Sequence, residues 1–102
     1  MSDTSTREFI LEEAKRCVCG CRAEDYGKPE DNFERIANLW TAYAGYVFQA
    51  EDVAAMMILL KIARIASGSA KMDNWVDAAG YAACGGELLA DRLQRERTEG
   101  PV

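Results

Sequence analysis

Residues 53–66 read VAAMMILLKIARIA, an apolar stretch long enough for about four helical turns that is interrupted by Lys61 and Arg64 alone. The stretch is shorter than the roughly 20 residues that a membrane-spanning helix needs, and it carries two cations, so it is typical of a core helix. Because this helix is apolar nearly all round, we expect it to lie at the centre of the fold.

Two further helices are predicted before this stretch. Ser5 followed by Glu8 has capping-box spacing and opens a first helix over about residues 6–19, with the apolar positions recurring at helical intervals. A second helix opens at Pro29 and ends at Gly45. Its apolar stripe consists of Phe33, Ile36, Ala37, Trp40 and Ala44.

A fourth helix is predicted to begin at Asp73 or Asn74, after the third helix ends near Gly68. Its inner-face candidates are Trp75, Val76, Ala79, Ala83, Leu89 and Leu93. Glycines within this helix, at 80, 85 and 86, predict either a bend or the close approach of a neighbouring helix. The charged residues from Arg92 onward predict fraying.

Together these segments predict an all-α fold, a compact bundle of four helices with a central apolar third helix. Residues 4–97 are expected to form a single helical domain, and residues 98–102 a frayed C-terminal tail.

The composition narrows the classes of partner. Formal net charge is -5, with 28% charged residues, so binding to nucleic acid or to an anionic membrane is not expected. An acidic chain suits a divalent cation or a basic protein surface. The polar opening MSDTSTRE lacks a signal-peptide layout, which predicts a cytoplasmic protein, in the host cytosol if it is phage-encoded.

The four cysteines are Cys17, Cys19, Cys21 and Cys84, and the chain has no histidine. Alternate positions on a helix do not share a face, which makes this spacing unlike a zinc site and favours small buried thiols.

The strongest candidate site joins the two cations of the third helix to acids of the fourth. Asp73, Asp77 and Tyr81 follow one another at four-residue steps and therefore share a helical face. Lys61 and Arg64 need acidic partners if they are buried. The cluster is either a structural network, or the floor of a pocket for a phosphate-bearing ligand or a metal.

Glu51 and Asp52 are further candidates for a cation site, since they could converge with Asp73 and Asp77 on one magnesium ion. The loop that contains Tyr26 and Lys28 is either a connector or a ligand-facing lid, in which the ring stacks on a base and the cation meets phosphate.

Trp40, Tyr43 and Tyr46 are predicted to be aromatics of the core and its rim. If they were exposed together, they would instead mark a binding interface, because aromatic residues concentrate at interfaces.

Three segments, EDYGKPEDNFERIANLW at 24–40, EDVAAMMILLKIAR at 51–64 and DNWVDAAGYAACGGEL at 73–88, occur in this order. In these segments the chain resembles a family of short bacteriophage and prophage proteins of unknown function. That resemblance implies a phage protein and carries no activity with it.

A weaker resemblance is to the all-α nucleoside triphosphate pyrophosphohydrolases of the MazG and dCTPase kind, which hydrolyse nucleotides with magnesium. It rests on Lys61, Arg64, Asp73, Asp77 and Tyr81. The magnesium motif of that family, Glu-x-x-Glu on one helix and Glu-x-x-Asp on the next, has no counterpart here before the C-terminal tail. No catalytic residue is therefore assigned.

Two functional hypotheses follow. One is a phage nucleotide-handling or nucleotide-binding protein, with magnesium as its cofactor in the enzymatic form. The other is a non-enzymatic acidic interaction protein, such as a phage inhibitor of a host enzyme or defence complex. In either case the small bundle and its surplus of aromatic residues favour a homo-oligomer.

Overall fold

The computed structural model describes residues 5–19 and 29–98, and this part of the chain folds into helices without a strand. The helices are α1 (Thr6–Cys19), α2 (Pro29–Ala44), α3 (Ala50–Ala66) and α4 (Asp73–Thr98). The all-α bundle of four helices predicted from the sequence is confirmed. In the described ranges, none of these helices combines the length and apolar character that crossing a membrane requires.

The helix ends follow the predicted signals. The Glu8 backbone N–H donates to Ser5 Oγ at 3.2 Å, which caps α1. Gly45 (φ 72°) follows α2, and Gly68 (φ 99°) follows α3. Both glycines adopt the left-handed conformation that a residue with a Cβ rarely takes, so each one ends its helix.

The core lies where α2, α3 and α4 meet. Its centre is formed by Val53 and Ala54 of α3, both 0% exposed. The remaining buried members of this cluster are Phe33, Ala37, Cys84 and Leu88. Helix α1 packs on α4 and adds the buried Ala14.

Among the described helices, α4 contacts each of the other three, whereas α3 packs mainly on α2 and α4. The predicted central position of α3 therefore applies to one side of the helix only. On its other side Leu59 is 62% exposed and Ile62 is 50% exposed, although both are large apolar side chains.

The face of α4 that packs inward differs from the predicted one. Val76 is buried and Ala79 is half-buried, but the other predicted inner residues, Trp75, Ala83, Leu89 and Leu93, are exposed. The buried residues of α4 are Asn74, Val76, Gly80, Cys84 and Leu88.

Glycine explains this choice of face. A Cβ at Gly80 would lie 3.3 Å from Val18 Cγ1 of α1, and one at Gly85 would lie 3.0 Å from Ala54 Cβ of α3. The neighbouring helices approach α4 through its small residues, as one of the two readings of these glycines predicted.

The fraying predicted from Arg92 onward is wrong, because α4 continues to Thr98. Arg92 Nε donates to Glu51 Oε2 of α3 at 2.6 Å, and its NH1 group donates to Glu96 Oε1 one turn later at 2.8 Å. These contacts tie the last turns of α4 to the start of α3. Residues 99–102 lie outside the described ranges.

Candidate functional site

The predicted cation-and-acid cluster forms in part, through Lys61 and Asp77. Lys61 Nζ lies 3.0 Å from Asp77 Oδ2, joining the later half of α3 to the start of α4. The side chain of Lys61 is 10% exposed and that of Asp77 is 28% exposed. Lys61 is thus a buried cation with a partner, as burial of its charge requires.

The other predicted members of the cluster lie elsewhere. Arg64 is exposed in the last turn of α3 and Asp73 is exposed in the first turn of α4. Within the described residues neither of them forms an ion pair. Each has a sign that suits its helix end, since cations favour the C-terminus and anions the N-terminus.

Tyr81 is half-buried and packs against the core, with its ring centroid 6.1 Å from that of Phe33 on α2. The ring of Tyr81 therefore packs at the contact between α2 and α4.

The structure does not bring the four predicted cation ligands together. Glu51 is paired with Arg92, and Asp52 Oδ2 accepts the Gln49 backbone N–H at 2.8 Å to cap α3. Along α3, Glu51 lies about 15 Å from the level of Lys61 and Asp77, at 1.5 Å per residue. No group of three or more metal-ligating side chains occurs within the described ranges. Magnesium binding stays a prediction, without support from this arrangement.

Arg92 occupies the polar end of the α3–α4 contact. Its hydrogen bond to Glu51, with that to Glu96, raises the pKa of the guanidinium above its ordinary value. A cleft of about 150 Å³ borders this ion pair, and it is lined by carboxylates of α2, α3 and α4 and by Arg92 and Arg95 of α4. Pockets that take a drug-sized ligand are roughly 300–1,000 Å³, so this cleft is too small for a nucleotide.

Tyr26 and Lys28, the predicted lid residues, lie outside the described residues, as does Cys21. Of the other cysteines, Cys84 is buried in the core, which fits the prediction of small buried thiols. Cys17 is half-buried and Cys19 is exposed on α1.

A second site, the aromatic patch, comprises Leu39, Tyr43, Tyr46 and Val47 at the end of α2 and in the link to α3. Tyr43 is 95% exposed, Val47 67%, Tyr46 69% and Leu39 63%. Trp40 is half-buried below them. Two of the three aromatic residues predicted for the core and its rim are therefore exposed together, the arrangement expected of an interface.

The link beneath the aromatic patch is held by several contacts. The Phe48 backbone N–H donates to Thr41 Oγ1 at 2.8 Å. The Phe48 ring makes edge contacts with Trp40 at 5.9 Å and with Tyr46 at 5.4 Å between centroids. These contacts anchor the link and the Tyr46 ring to α2.

Leu39 and Val47 were missed from the sequence as members of a site. Leu39 and Tyr43 are four residues apart and lie off the stripe that contains Phe33 and Ala37, so a helical projection places them on the solvent side. The contribution of Val47 depends on the folded link, for which the sequence gives no comparable signal.

The fold of the described residues places the chain in the all-α class. The chain belongs to the family described as Domain of unknown function (DUF6378), whose model matches residues 9–89. The predicted resemblance to phage proteins of unknown function is confirmed.

Two relatives are proteins of mycobacteriophages. The chain is 54% identical over 74 residues to the Gene 55 protein of Mycobacterium phage L5, which is 72% of this chain and 47% of that protein. It is 42% identical over 93 residues to the Gene 55 protein of Mycobacterium phage D29, which is 91% of this chain and 58% of that protein.

The chain spans about half the length of the curated relatives it matches. No solved structure matches it. None of these comparisons bears on the weaker resemblance to MazG-type enzymes, which stays a prediction.

Proposed function

We propose that this protein is a non-enzymatic interaction protein that binds a protein partner through the aromatic patch. The observation that carries the proposal is the joint exposure of Tyr43 in the last turn of α2 and of Tyr46 on the link that is anchored to α2. A phage inhibitor of a host enzyme or defence complex would act in this way.

Exposed aromatic residues on a fixed support suit recognition for an energetic reason. Tyrosine offers a large apolar surface with a polar tip and few rotatable bonds, so it loses little conformational entropy on binding. Tyrosine and tryptophan are accordingly enriched among the residues that dominate interface energies. Phe48 contacts both Trp40 and Tyr46, which limits the reorganisation that binding through Tyr46 would require.

The charge of the chain narrows the class of partner. With a formal net charge of -5, the protein would associate fastest with a partner whose surface is basic around an apolar pocket. Long-range attraction of this kind weakens as salt screens it, so the association rate should fall with ionic strength.

Affinity capture from an extract of a mycobacterial host tests this proposal, with Tyr43→Ala/Val47→Ala as the variant. The control is Leu11→Ala, which shortens an exposed apolar residue of α1, 63% exposed, outside the aromatic patch. We expect the wild-type chain and the control to retain the same partner and the double variant to lose it. Titration of that purified partner should then show at least a tenfold loss of affinity.

Two results would contradict the proposal. Capture by the double variant that equals capture by the wild type would exclude the aromatic patch as the binding surface. A double variant that is unfolded by circular dichroism would show that the patch is structural, contrary to the exposure of its residues.

Nucleotide handling is the second candidate function, and it is favoured by one observation. The buried Lys61–Asp77 pair lies at the same end of the α3–α4 contact as the exposed Arg64, so a phosphate could meet a free guanidinium beside the pair. In its enzymatic form magnesium would bridge the phosphates; as a sponge the protein would bind a signalling nucleotide without turnover.

Thermal-shift measurements with nucleotides, with and without magnesium, separate this candidate from the first. A ligand that binds only the native state raises the melting temperature. A shift that Arg64→Ala abolishes would support nucleotide binding. The absence of a shift with any nucleotide would remove both the enzyme and the sponge.

A further inference from the structure

We propose that two copies of this chain associate through an outer face formed by α3 and α4. The outer face is defined by Leu59 and Ile62 of α3 with Trp75, Gly86, Leu89 and Leu93 of α4. It shares no residue with the aromatic patch, so the pairing leaves the proposed partner-binding surface free.

The outer sides of α3 and α4 adjoin, because the two ion pairs described above join these helices near both ends of their contact. Ile62 follows the fully buried Val53 by about two and a half turns, which places it on the opposite side of α3. Leu89 stands in the same relation to Gly80, the residue that α1 approaches. Each of these two helices therefore has an apolar side that faces away from α1 and α2.

On α4 the outer face follows the spacing of a helix–helix seam. The positions 75, 79, 82, 86, 89 and 93 alternate steps of four and three residues, as the a and d positions of a heptad do. All are apolar or glycine. Four of these six positions, 75, 79, 89 and 93, were among those that the sequence predicted for the core, and the fold leaves all six exposed except the half-buried Ala79.

The order of side-chain sizes along the stripe identifies a second copy as the occupant. In an antiparallel pairing of α4 with itself, Trp75 meets the Leu93 position of the other copy, and Ala79 meets the Leu89 position. At the centre Ala82 meets the Gly86 position. The pair of small residues thus lies where two crossed helices are closest, and the pairs that include a large residue lie where the helices diverge.

Space and charge agree with this pairing. A Cβ added at Gly86 would meet no atom of the other described helices within 4 Å, which leaves room for a neighbouring helix. Two copies that each carry a net charge of -5 repel one another, and the outer face lets them meet through positions without charge. A two-fold axis that crosses α4 would make the contact isologous.

The exposed area of two copies, about 1,200 Å² in total, reaches the lower end of the range for specific interfaces. Leu59 is 62% exposed, Trp75 54%, Ile62 50%, Leu93 48% and Leu89 39%. With the exposed alanines between them, they present on the order of 600 Å² per copy, against about 800 Å² per partner in an interface of standard size.

Analytical ultracentrifugation of the full chain over a range of concentrations tests the pairing. We expect a mass twice the 11.3 kDa of one chain for the wild type. Leu89→Glu should weaken the dimer at least tenfold while circular dichroism shows an intact fold. Leu11→Glu, a control on the exposed side of α1, should leave the dimer unchanged, as should the Tyr43→Ala/Val47→Ala variant of the aromatic patch.

The antiparallel register has its own test in a pair of charge variants. Ala79→Glu and Leu89→Lys should each be monomeric alone, because each buries an unpaired charge in the contact. Mixing the two variants should restore a dimer, because each introduced charge then meets its opposite across the contact.

A wild-type chain that remains monomeric at millimolar concentration would overturn the proposal and assign the outer face to another occupant. A dimer that Leu89→Glu leaves unaffected would overturn it as well. A wild-type dimer without restoration in the mixture would overturn the antiparallel register. None of these results affects the test of the aromatic patch, which is read from partner binding.

Discussion

Removing the two members of the Lys61–Asp77 ion pair should destabilise the fold unequally. Asp77→Ala leaves an ammonium group on a side chain that is only 10% exposed, whereas Lys61→Met leaves a carboxylate on a side chain that is 28% exposed. Water hydrates the second orphaned charge more readily than the first. Methionine also keeps most of the packing of the lysine stem.

The magnitudes follow from the two limits for ion pairs. Breaking a fully buried pair costs about 3–5 kcal/mol, and breaking an exposed pair costs about 0–1 kcal/mol. We expect about 2–3 kcal/mol for Asp77→Ala, between the two limits and closer to the buried one, and about 1 kcal/mol for Lys61→Met. The double variant should cost less than the sum of the two, because it leaves no unpaired charge.

Urea unfolding followed by circular dichroism at neutral pH measures these differences. Asp73→Ala is the matched control, because it removes an exposed carboxylate from the same end of α4 and reports the helix-dipole and propensity effects alone. Equal losses for Lys61→Met and Asp77→Ala would refute the reasoning from exposure. Losses below about 0.5 kcal/mol for both would show that the pair is solvated.

Three further substitutions probe the packing of α4 and the link. Gly85→Ala should lower the free energy of unfolding by about 1–2 kcal/mol, because the new methyl group would lie 3.0 Å from the fixed Ala54 Cβ. This loss outweighs the gain from the better helix propensity of alanine. Gly80→Ala should change it by less than about 0.5 kcal/mol, since the neighbouring Val18 side chain can shift; equal effects at both glycines would contradict this. Thr41→Val should cost about 1–2 kcal/mol in urea unfolding, because the half-buried Phe48 N–H loses its acceptor, and no loss would mean that water replaces it.

The sequence predicted the helices well because their signals are local. The helix bounds at Thr6–Cys19 and Pro29–Ala44, and the ends at Gly45 and Gly68, follow from capping residues, proline and glycine that act on their own backbone. The contact of Lys61 with Asp77 could also be predicted from the sequence, since a short connection between two helices brings the end of one near the start of the next.

The prediction that α4 frays from Arg92 onward was wrong because of a contact with a residue outside α4. A charged helical end is stable here because Glu51, 41 positions earlier in the chain, accepts a hydrogen bond from Arg92. Nothing in the local sequence of α4 identifies that acceptor.

What the amino-acid sequence determined by itself is the set of helices, their ends and one buried ion pair. What the tertiary structure alone decided is which side of each helix is covered. α4 offers an apolar stripe through Trp75 and Leu89 and a stripe of small residues through Gly80 and Cys84, and hydropathy favours the first. The fold buries the second, because close approach of α1 and α3 at the glycines gains more contact than larger side chains would allow, and the apolar stripe is left to face solvent.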